Sequence, residues 1–464
     1  MKLDQNSRSG KLDDPVLRQQ PDATRLASCR KLQIVTLIFL TALGVRFLNW
    51  HGSRQEVSGV QAKVVRNYKH LAEEIRKNGL ASLYDVSSKT CEPDLFGHPP
   101  GYPVLLAFID GLAPKSDGAI QIVQMILDSL SAVIICLIAF ELFPTAVGVL
   151  AGLLAAFAPQ FSWNSINLLP DSMAALPLLL AVLLITRTRQ RGARVQLSLL
   201  AAGALIGVSC WLRANGLLLA PFMTLLFPII YKRGERIRPA LVLIAGACLV
   251  IVPLTIRNAM VFGEFIPVSL GAGQTLIEGI ADYNTDGTLG LPQTDMELIN
   301  GEAKAFNRPE YAKSLFTPDG PARDRARMAR GFAVIRAHPF WFFSVMVRRA
   351  SSMLRLERTP LRQAATGAGV GQLFQWPLRA IQKLFMTAVF LPLVLIGVGL
   401  LVYQRRFQTL AILLVVPCYY FCTQSALHTE YRYVLVIHYF LFILAAVTVH
   451  TICSKLRVLQ NRAR

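Results

Sequence analysis

Asp171, in the stretch LLPDSMAALPLLL, stands at the mouth of an apolar run, where a carboxylate is costly unless it has a task. An aspartate there can also cap the helix that follows, and both readings stay open. Three arginines interrupt or close other apolar runs: Arg213 beside Asn215 in WLRANG, Arg257 beside Asn258, and Arg432 in HTEYRY. A guanidinium offers a planar fork of donors that matches phosphate oxygens, so three at one rim point to a phosphate at headgroup depth; for each alone, snorkelling to lipid is the alternative. Around Tyr68 and the HPPGYP turn that carries Tyr102 lie Glu73, Glu74, Asp85, Glu92, Asp94 and His98. Such carboxylates can deprotonate an acceptor or hold a divalent ion, with His98 as a candidate metal ligand, and each taken singly also reads as a solvated loop residue. Asp128, inside an apolar run, reads as one half of an ion pair in a helical bundle.

The elements that must position these groups follow from composition. The chain has 464 residues, of which 53% are hydrophobic and only 16% charged, with a mean hydropathy of +0.44. That is too few charges to cover a water-soluble protein of this length, so the chain is expected to be an all-α polytopic membrane protein. Its net charge of +20 lies largely in short tracts between apolar runs, which reads as a topology signal rather than as a nucleic-acid surface. The eight cysteines fall mostly in or beside apolar runs and outline neither a disulfide framework nor a zinc knuckle. The sequence GAG at 271–273 is no phosphate-binding P-loop, because GxxxxGK[ST] is absent.

About ten membrane spans are expected, at residues 33–50, 119–143, 145–162, 169–187, 196–212, 215–231, 239–256, 382–403, 407–424 and 431–453. The basic tracts at 30–31, 187–194, 232–238, 405–406 and 455–457 then all fall on one side, which the positive-inside rule makes the cytoplasm, together with both termini. The organisation expected is a disordered cytoplasmic tail at 1–32, a transmembrane module at 33–256 with a first outside loop at 51–118, an outside segment at 257–381, and C-terminal spans with a short tail at 382–464. The run Val104–Leu112 is too short to cross and is expected to lie in the outer interface as a helix started near Pro103. A second interfacial helix is expected over Phe332–Leu356, where Phe340, Trp341, Phe343 and Met346 mix with Arg348, Arg349 and Arg355.

Taken in order, YKHLAEEIRKNG, HPPGYPVLLAFIDGL, LLPDSMAALPLLL, RNAMVFGEFIPVS and HTEYRY resemble the GT-C superfamily of polyprenyl-phosphate-dependent glycosyltransferases, nearest to the glycosyltransferase family 39 and aminoarabinose-transferase type. The likeness runs over most of the chain from about residue 33. It implies juxtamembrane helices in the first outside loop and a cavity opening to the outer face of a cell's inner membrane. There a sugar would pass from a polyprenyl phosphate, with inversion, to a lipid, glycan or protein acceptor. Asp171 matches the family's second acidic position, Arg257 and Asn258 its Arg-Asn pair, and Glu430, Arg432 and Tyr433 its late E-x-R-Y. The stretch VQAKVVRN before Tyr68 lacks the family's first acid, and Glu56 is the acid found upstream. The resemblance thus implies Asp171 and Glu56 as catalytic acids or bases, and Arg257, Asn258, Tyr68, Tyr102, Glu430, Arg432 and Tyr433 as substrate-binding residues, which Arg213 joins as an arginine at the same rim. The cofactor it leaves open is a divalent metal ion at His98. Two other readings remain from the sequence: a lipid or polyprenyl-phosphate transporter or flippase, which interior charges would also suit, and an inactive relative that binds lipid-linked sugar.

Overall fold

A computed structural model describes residues 20–57, 59–84, 97–190, 194–357 and 370–463. The described backbone is helical, without a strand. Its first part comprises α1 (Gln20–Val57), α2 (Ala62–Asn78), α3 (Gly101–Leu112), α4 (Asp117–Leu142), α5 (Thr145–Phe157), α6 (Pro159–Ile166), α7 (Asp171–Arg187) and α8 (Val195–Leu212). Next come the short α9 (Leu219–Met223) and α10 (Phe227–Ile230), then α11 (Ile237–Phe262), α12 (Ala272–Ala281), α13 (Asp295–Ala305), α14 (Gly320–Ala337) and α15 (Pro339–Met353). The chain ends with α16 (Val370–Gln382), α17 (Thr387–Tyr403), α18 (Phe407–Gln424) and α19 (Leu435–Ala463).

Every segment expected to span is helical, but by length and composition six described helices can cross a membrane, or eight if each of two bent pairs counts as one span. Against the expectation of about ten, local chemistry accounts for the apolar segments that do not pass on length and composition. The 145–162 segment breaks before Pro159 with a bend of 51°, as expected where proline ends a helix, and the 376–403 segment bends by 53° between Gln382 and Thr387. The 214–230 stretch is cut into 3₁₀ and α pieces around Pro221 and Pro228, and α7 has only 17 residues.

The bundle core joins α1, α4, α5, α7, α8, α11, α18 and α19 through small and branched side chains. Where α8 crosses α11, a Cβ added at Gly203 would strike the carbonyl of Leu243, and one at Gly246 that of Leu200. The two backbones touch because glycine keeps them bare, as in other small-residue crossings in membranes. Inside the bundle Arg46 of α1 is fully buried against Asp128 of α4, Nε to Oδ2 2.6 Å, and the Tyr439 hydroxyl donates to Oδ1 at 3.0 Å. The pair expected of Asp128 is therefore present.

One end of the bundle carries the basic tracts. Arg187 pairs with Glu141, and Arg406 donates to the Leu142 carbonyl at the end of α4. At the other end, α2 and α3 pack together through Tyr68, Ala72, Ile75, Tyr102 and Leu106. Lys69–Asp117 and Arg76–Asp110 tie α2 to the start of α4 and to α3. The same end carries α12–α15, which pack as a helical unit rather than an irregular loop. There Glu302 receives both Arg323 and Arg327, and Leu276, Ile280, Leu298 and Phe342 form the core. The helix expected over Phe332–Leu356 is two helices, broken at His338, because the residue before Pro339 is pushed out of the helical region.

Candidate functional site

Four polypeptide segments meet at the end of the bundle away from the basic tracts. Asp171 opens α7; Arg213 follows α8; Tyr420 lies near the end of α18; and Arg432 and Tyr433 sit in the 3₁₀ turn Tyr431–Val434 that leads into α19. With Asn215, Ala174, Leu178 and Val436 they line a small cleft. Each segment is held from behind. Ser209 of α8 donates to the Ala174 carbonyl of α7, and the Tyr419 hydroxyl both donates to the Asn215 carbonyl and accepts from the Leu218 amide, so the turn after Arg213 is pinned to α18.

The electrostatics of the cleft centre on two guanidinium groups. Arg213 Nη2 lies 2.5 Å from Asp171 Oδ1, and the Asp171 side chain is 2% exposed. The Arg213 guanidinium sits 4.3 Å from the centre of the Tyr433 ring, and that of Arg432 lies 5.2 Å from the same ring, so one aromatic ring orients both cations. Burial opposes the charge on Arg213 most strongly, but Asp171, Tyr433 and Tyr68 together outweigh it and hold the group above the usual arginine range. Asp171 does not cap its helix: the N-cap is Pro170, and no side chain caps the first turn. Both Asp171 oxygens, the Ser172 hydroxyl, and the Nε atoms of Arg213 and Arg432 are buried without an aligned hydrogen-bond partner. Asp171 Oδ1 and Arg432 Nε are in ion-pair contact all the same, with Arg213 Nη2 at 2.5 Å and Glu430 Oε2 at 2.8 Å, so Asp171 Oδ2, the Ser172 hydroxyl and Arg213 Nε are the buried groups still able to take a partner.

Tyr68 and Tyr102 border this cluster. They pack edge to face at 5.1 Å. Burial pushes the Tyr68 phenol well above its ordinary pKa, and the phenol feels the charges of Arg213, Asp171 and Arg432. Glu430 accepts from Arg432 Nη2 at 2.8 Å and from the Tyr433 hydroxyl at 3.3 Å.

Of the residues singled out in the sequence, Asp171, Arg213, Arg432, Tyr433 and Glu430 come together, with Tyr68 and Tyr102 beside them. Arg257 and Asn258 turn elsewhere. Arg257 Nε donates to the Leu83 carbonyl at 2.9 Å and Nη1 to Asn258 Oδ1, while the Asn258 amide donates to the Ile266 and Val268 carbonyls. This pair fastens the Leu80–Tyr84 turn and the 266–268 segment to the end of α11 and does not line the cleft. Glu56 lies near the end of α1 and its side chain is outside the described residues, as are Asp85, Glu92 and Asp94 altogether. Glu73 is paired with Lys77, and Glu74 accepts from Asn78, as solvated helix residues do. The His98 ring packs 5.6 Å from that of Tyr68. Among the described residues no three His, Cys, Asp or Glu side chains group to hold a metal ion.

Sequence reasoning missed Tyr420 and Gln124. Gln124 is fully buried; its amide donates to the Asn167 and Leu169 carbonyls at 2.7 and 3.0 Å, and its oxygen accepts from the Tyr102 hydroxyl at 3.4 Å. It thereby ties α3 to the turn that presents Asp171. The available signal was its spacing: Gln121, Gln124 and Asp128 fall on one face of α4.

This helical bundle, with α2 and α3 set beside a polar cleft at one rim, shares its fold with a solved archaeal oligosaccharyltransferase. Residues 97–256, about a third of the chain, match the family model described as dolichyl-phosphate-mannose-protein mannosyltransferase. The archaeal oligosaccharyltransferase AglB from Archaeoglobus fulgidus, in complex with an inhibitory peptide and a dolichol-phosphate, aligns over 93% of this chain and 52% of its own, with 17% identity and a TM-score of 0.52. A structure of the same oligosaccharyltransferase with Zn and sulfate aligns over 92% of this chain and 50% of its own, with 16% identity and a TM-score of 0.52. ArnT from Cupriavidus metallidurans bound to undecaprenyl phosphate aligns over 82% of this chain and 72% of its own, with 14% identity and a TM-score of 0.34. The chain therefore spans about half the length of the archaeal enzyme whose fold it shares. Among curated proteins, none matches.

Proposed function

We propose that the protein is an inverting glycosyltransferase that takes a sugar from a polyprenyl phosphate and passes it to a lipid, glycan or protein acceptor on the outer face of a cell's inner membrane. The observation that carries this reading is the cleft itself, where Asp171 and two guanidinium groups converge at one rim of an apolar bundle with buried polar atoms still unfilled. The archaeal oligosaccharyltransferase that shares the fold is in complex with a dolichol-phosphate, and the family matched over residues 97–256 is described as dolichyl-phosphate-mannose-protein mannosyltransferase.

In this reading the acceptor oxygen attacks the anomeric carbon from the face opposite the phosphate. The bond from that carbon to the phosphate oxygen breaks, and polyprenyl phosphate leaves with the electron pair. Phosphate is already a good leaving group, so the protein's task is to stabilise the departing charge. Arg213 and Arg432 supply fixed donors for it in a site of low dielectric, with the Tyr68 and Tyr433 hydroxyls beside them. Asp171 orients the acceptor hydroxyl and receives its proton, with Glu56 as the second candidate base. A chelator arm in the assay, with Mg²⁺ or Mn²⁺ restored, tests whether a divalent ion held by His98 and the acids of residues 85–94 takes part.

The test is sugar transfer from a polyprenyl phosphosugar in membranes. Asp171→Asn is expected to lower transfer by about 100-fold or more, the range over which general base catalysis operates, and Arg213→Ala to lower it comparably. Full activity in Asp171→Asn contradicts the reading. Lipid-phosphate binding without transfer by the wild type supports the inactive relative instead.

A further inference from the structure

Two arginines face the cleft, and each has a carboxylate, but the two carboxylates differ in kind. Asp171 is locked in: its side chain is 2% exposed and its backbone is the first turn of α7. The Glu430 side chain is 36% exposed and leaves from a residue in extended conformation, in the non-helical stretch between α18 and the turn at Tyr431. Glu430 does not line the cleft; it reaches Arg432 from the rim. There it covers one edge of the guanidinium, with Oε1 accepting from Nη2 at 2.8 Å and Oε2 standing 2.8 Å from Nε, and it also takes the Tyr433 hydroxyl at 3.3 Å. A guanidinium fork plus a hydroxyl is the donor set that a phosphate takes.

We propose that Glu430 is a built-in stand-in for the donor phosphate, a counter-ion that must swing off Arg432 before a lipid-linked phosphate can use the same donors. The inference rests on the reading of the cleft as a phosphate site. Charge balance supports it. With Glu430 in place, Arg213 and Arg432 are matched by Asp171 and Glu430, and the site is neutral toward an incoming anion. With Glu430 turned to solvent it gains one positive charge, which complements the single negative charge of a phosphodiester. Asp171 cannot make this move, because its carboxylate would remain buried without a countercharge. Glu430 can, because water already reaches it. The empty site then keeps Arg432 paired, and binding carries the cost of populating the open form, which lowers apparent affinity by the open fraction.

The experiment is binding of undecaprenyl phosphate to the purified full chain in detergent, with undecaprenol as the phosphate-free control. Glu430→Gln keeps the shape and removes the charge. It is expected to bind undecaprenyl phosphate roughly three- to tenfold tighter than the wild type, with undecaprenol binding unchanged, while Arg432→Ala binds at least about tenfold more weakly. Glu430→Ala reads the same quantity should Glu430→Gln fail to give a monodisperse protein. Equal or weaker binding by the Glu430 variants, with loss in Arg432→Ala, overturns the inference and makes Glu430 an orienting partner of Arg432 while leaving the phosphate site standing. Unchanged binding in both Arg213→Ala and Arg432→Ala overturns the phosphate site and the inference with it.

Discussion

Asp171 stands where it does because Gln124, two turns into α4, holds the carbonyls of Asn167 and Leu169 just ahead of it. Replacing Gln124 by Leu removes both side-chain donors and leaves the Asn167 carbonyl with the Leu169 amide alone, a loss of about 1–3 kcal/mol, and releases the turn. Gln124→Leu is therefore expected to lower the transfer kcat by about tenfold or more while leaving affinity for polyprenyl phosphate within about threefold, since positioning and binding separate in such kinetics. Equal losses in both would make Gln124 merely structural. At this scale the sequence shows the charged members of the site, because Asp171, Arg213 and Arg432 each break an apolar run. It hides Gln124 and Tyr420, which look like ordinary residues of a span, and Arg46, which falls inside one. Arg257 is legible as a rim arginine, but its hydrogen bond goes to the Leu83 carbonyl, and no pattern of residue types distinguishes a backbone carbonyl from a phosphate as its acceptor.

At the scale of elements, Arg213 is placed by the packing of α8 on α11. Gly203→Leu or Gly246→Leu forces the two backbones apart and is expected to shift the end of α8, lowering thermal stability in detergent and transfer together. Alanine at Gly216, where an added Cβ comes no closer than 3.4 Å to a neighbour, is expected to do neither. The α12–α15 unit carries its own pH dependence. Burial, and then its contact with Asp295, push the Glu278 carboxyl up to about 8, while the bond to Asp282 raises His428 above its ordinary value. Both groups hold a proton longer in the folded than in the unfolded state. Their contribution to stability is thus full below their unfolded pKa values and lost as pH rises through the folded ones. Hydrogen exchange over residues 272–281 is expected to quicken from pH 6 to pH 8.5 beyond the intrinsic base-catalysed rise, and Glu278→Gln is expected to remove much of the excess. An identical excess in Glu278→Gln excludes this carboxyl as the cause. Sequence periodicity finds these helices but places the break at His338 and the bend before Pro159 poorly, because hydropathy averages across a proline that the backbone cannot ignore.

Over the whole molecule, the basic tracts and the cleft lie at opposite ends of the bundle, a separation the sequence already shows because short loops alternate in charge. The number of spans is less legible: six to eight helices have the length and composition, and the remaining apolar runs are broken or short because proline and helix packing divide them. The orientation we propose puts Lys304 outside and Lys232 in the cytoplasm. In intact cells a membrane-impermeant maleimide is expected to label Lys304→Cys above the wild-type background and Lys232→Cys only after permeabilisation. The reverse pattern would place the cleft on the cytoplasmic face and remove the proposed site of transfer. The central claim is that the rim cleft receives the phosphate of a polyprenyl carrier. It is tested most directly by determining the structure of the protein with undecaprenyl phosphate bound and locating the phosphorus atom. Hydrogen-bonded oxygens place that atom within about 5 Å of the donor nitrogens of both Arg213 and Arg432 if the account holds. Phosphorus density beside Arg257, or anywhere outside the cleft lined by Asp171, Arg213, Arg432 and Tyr433, would contradict it.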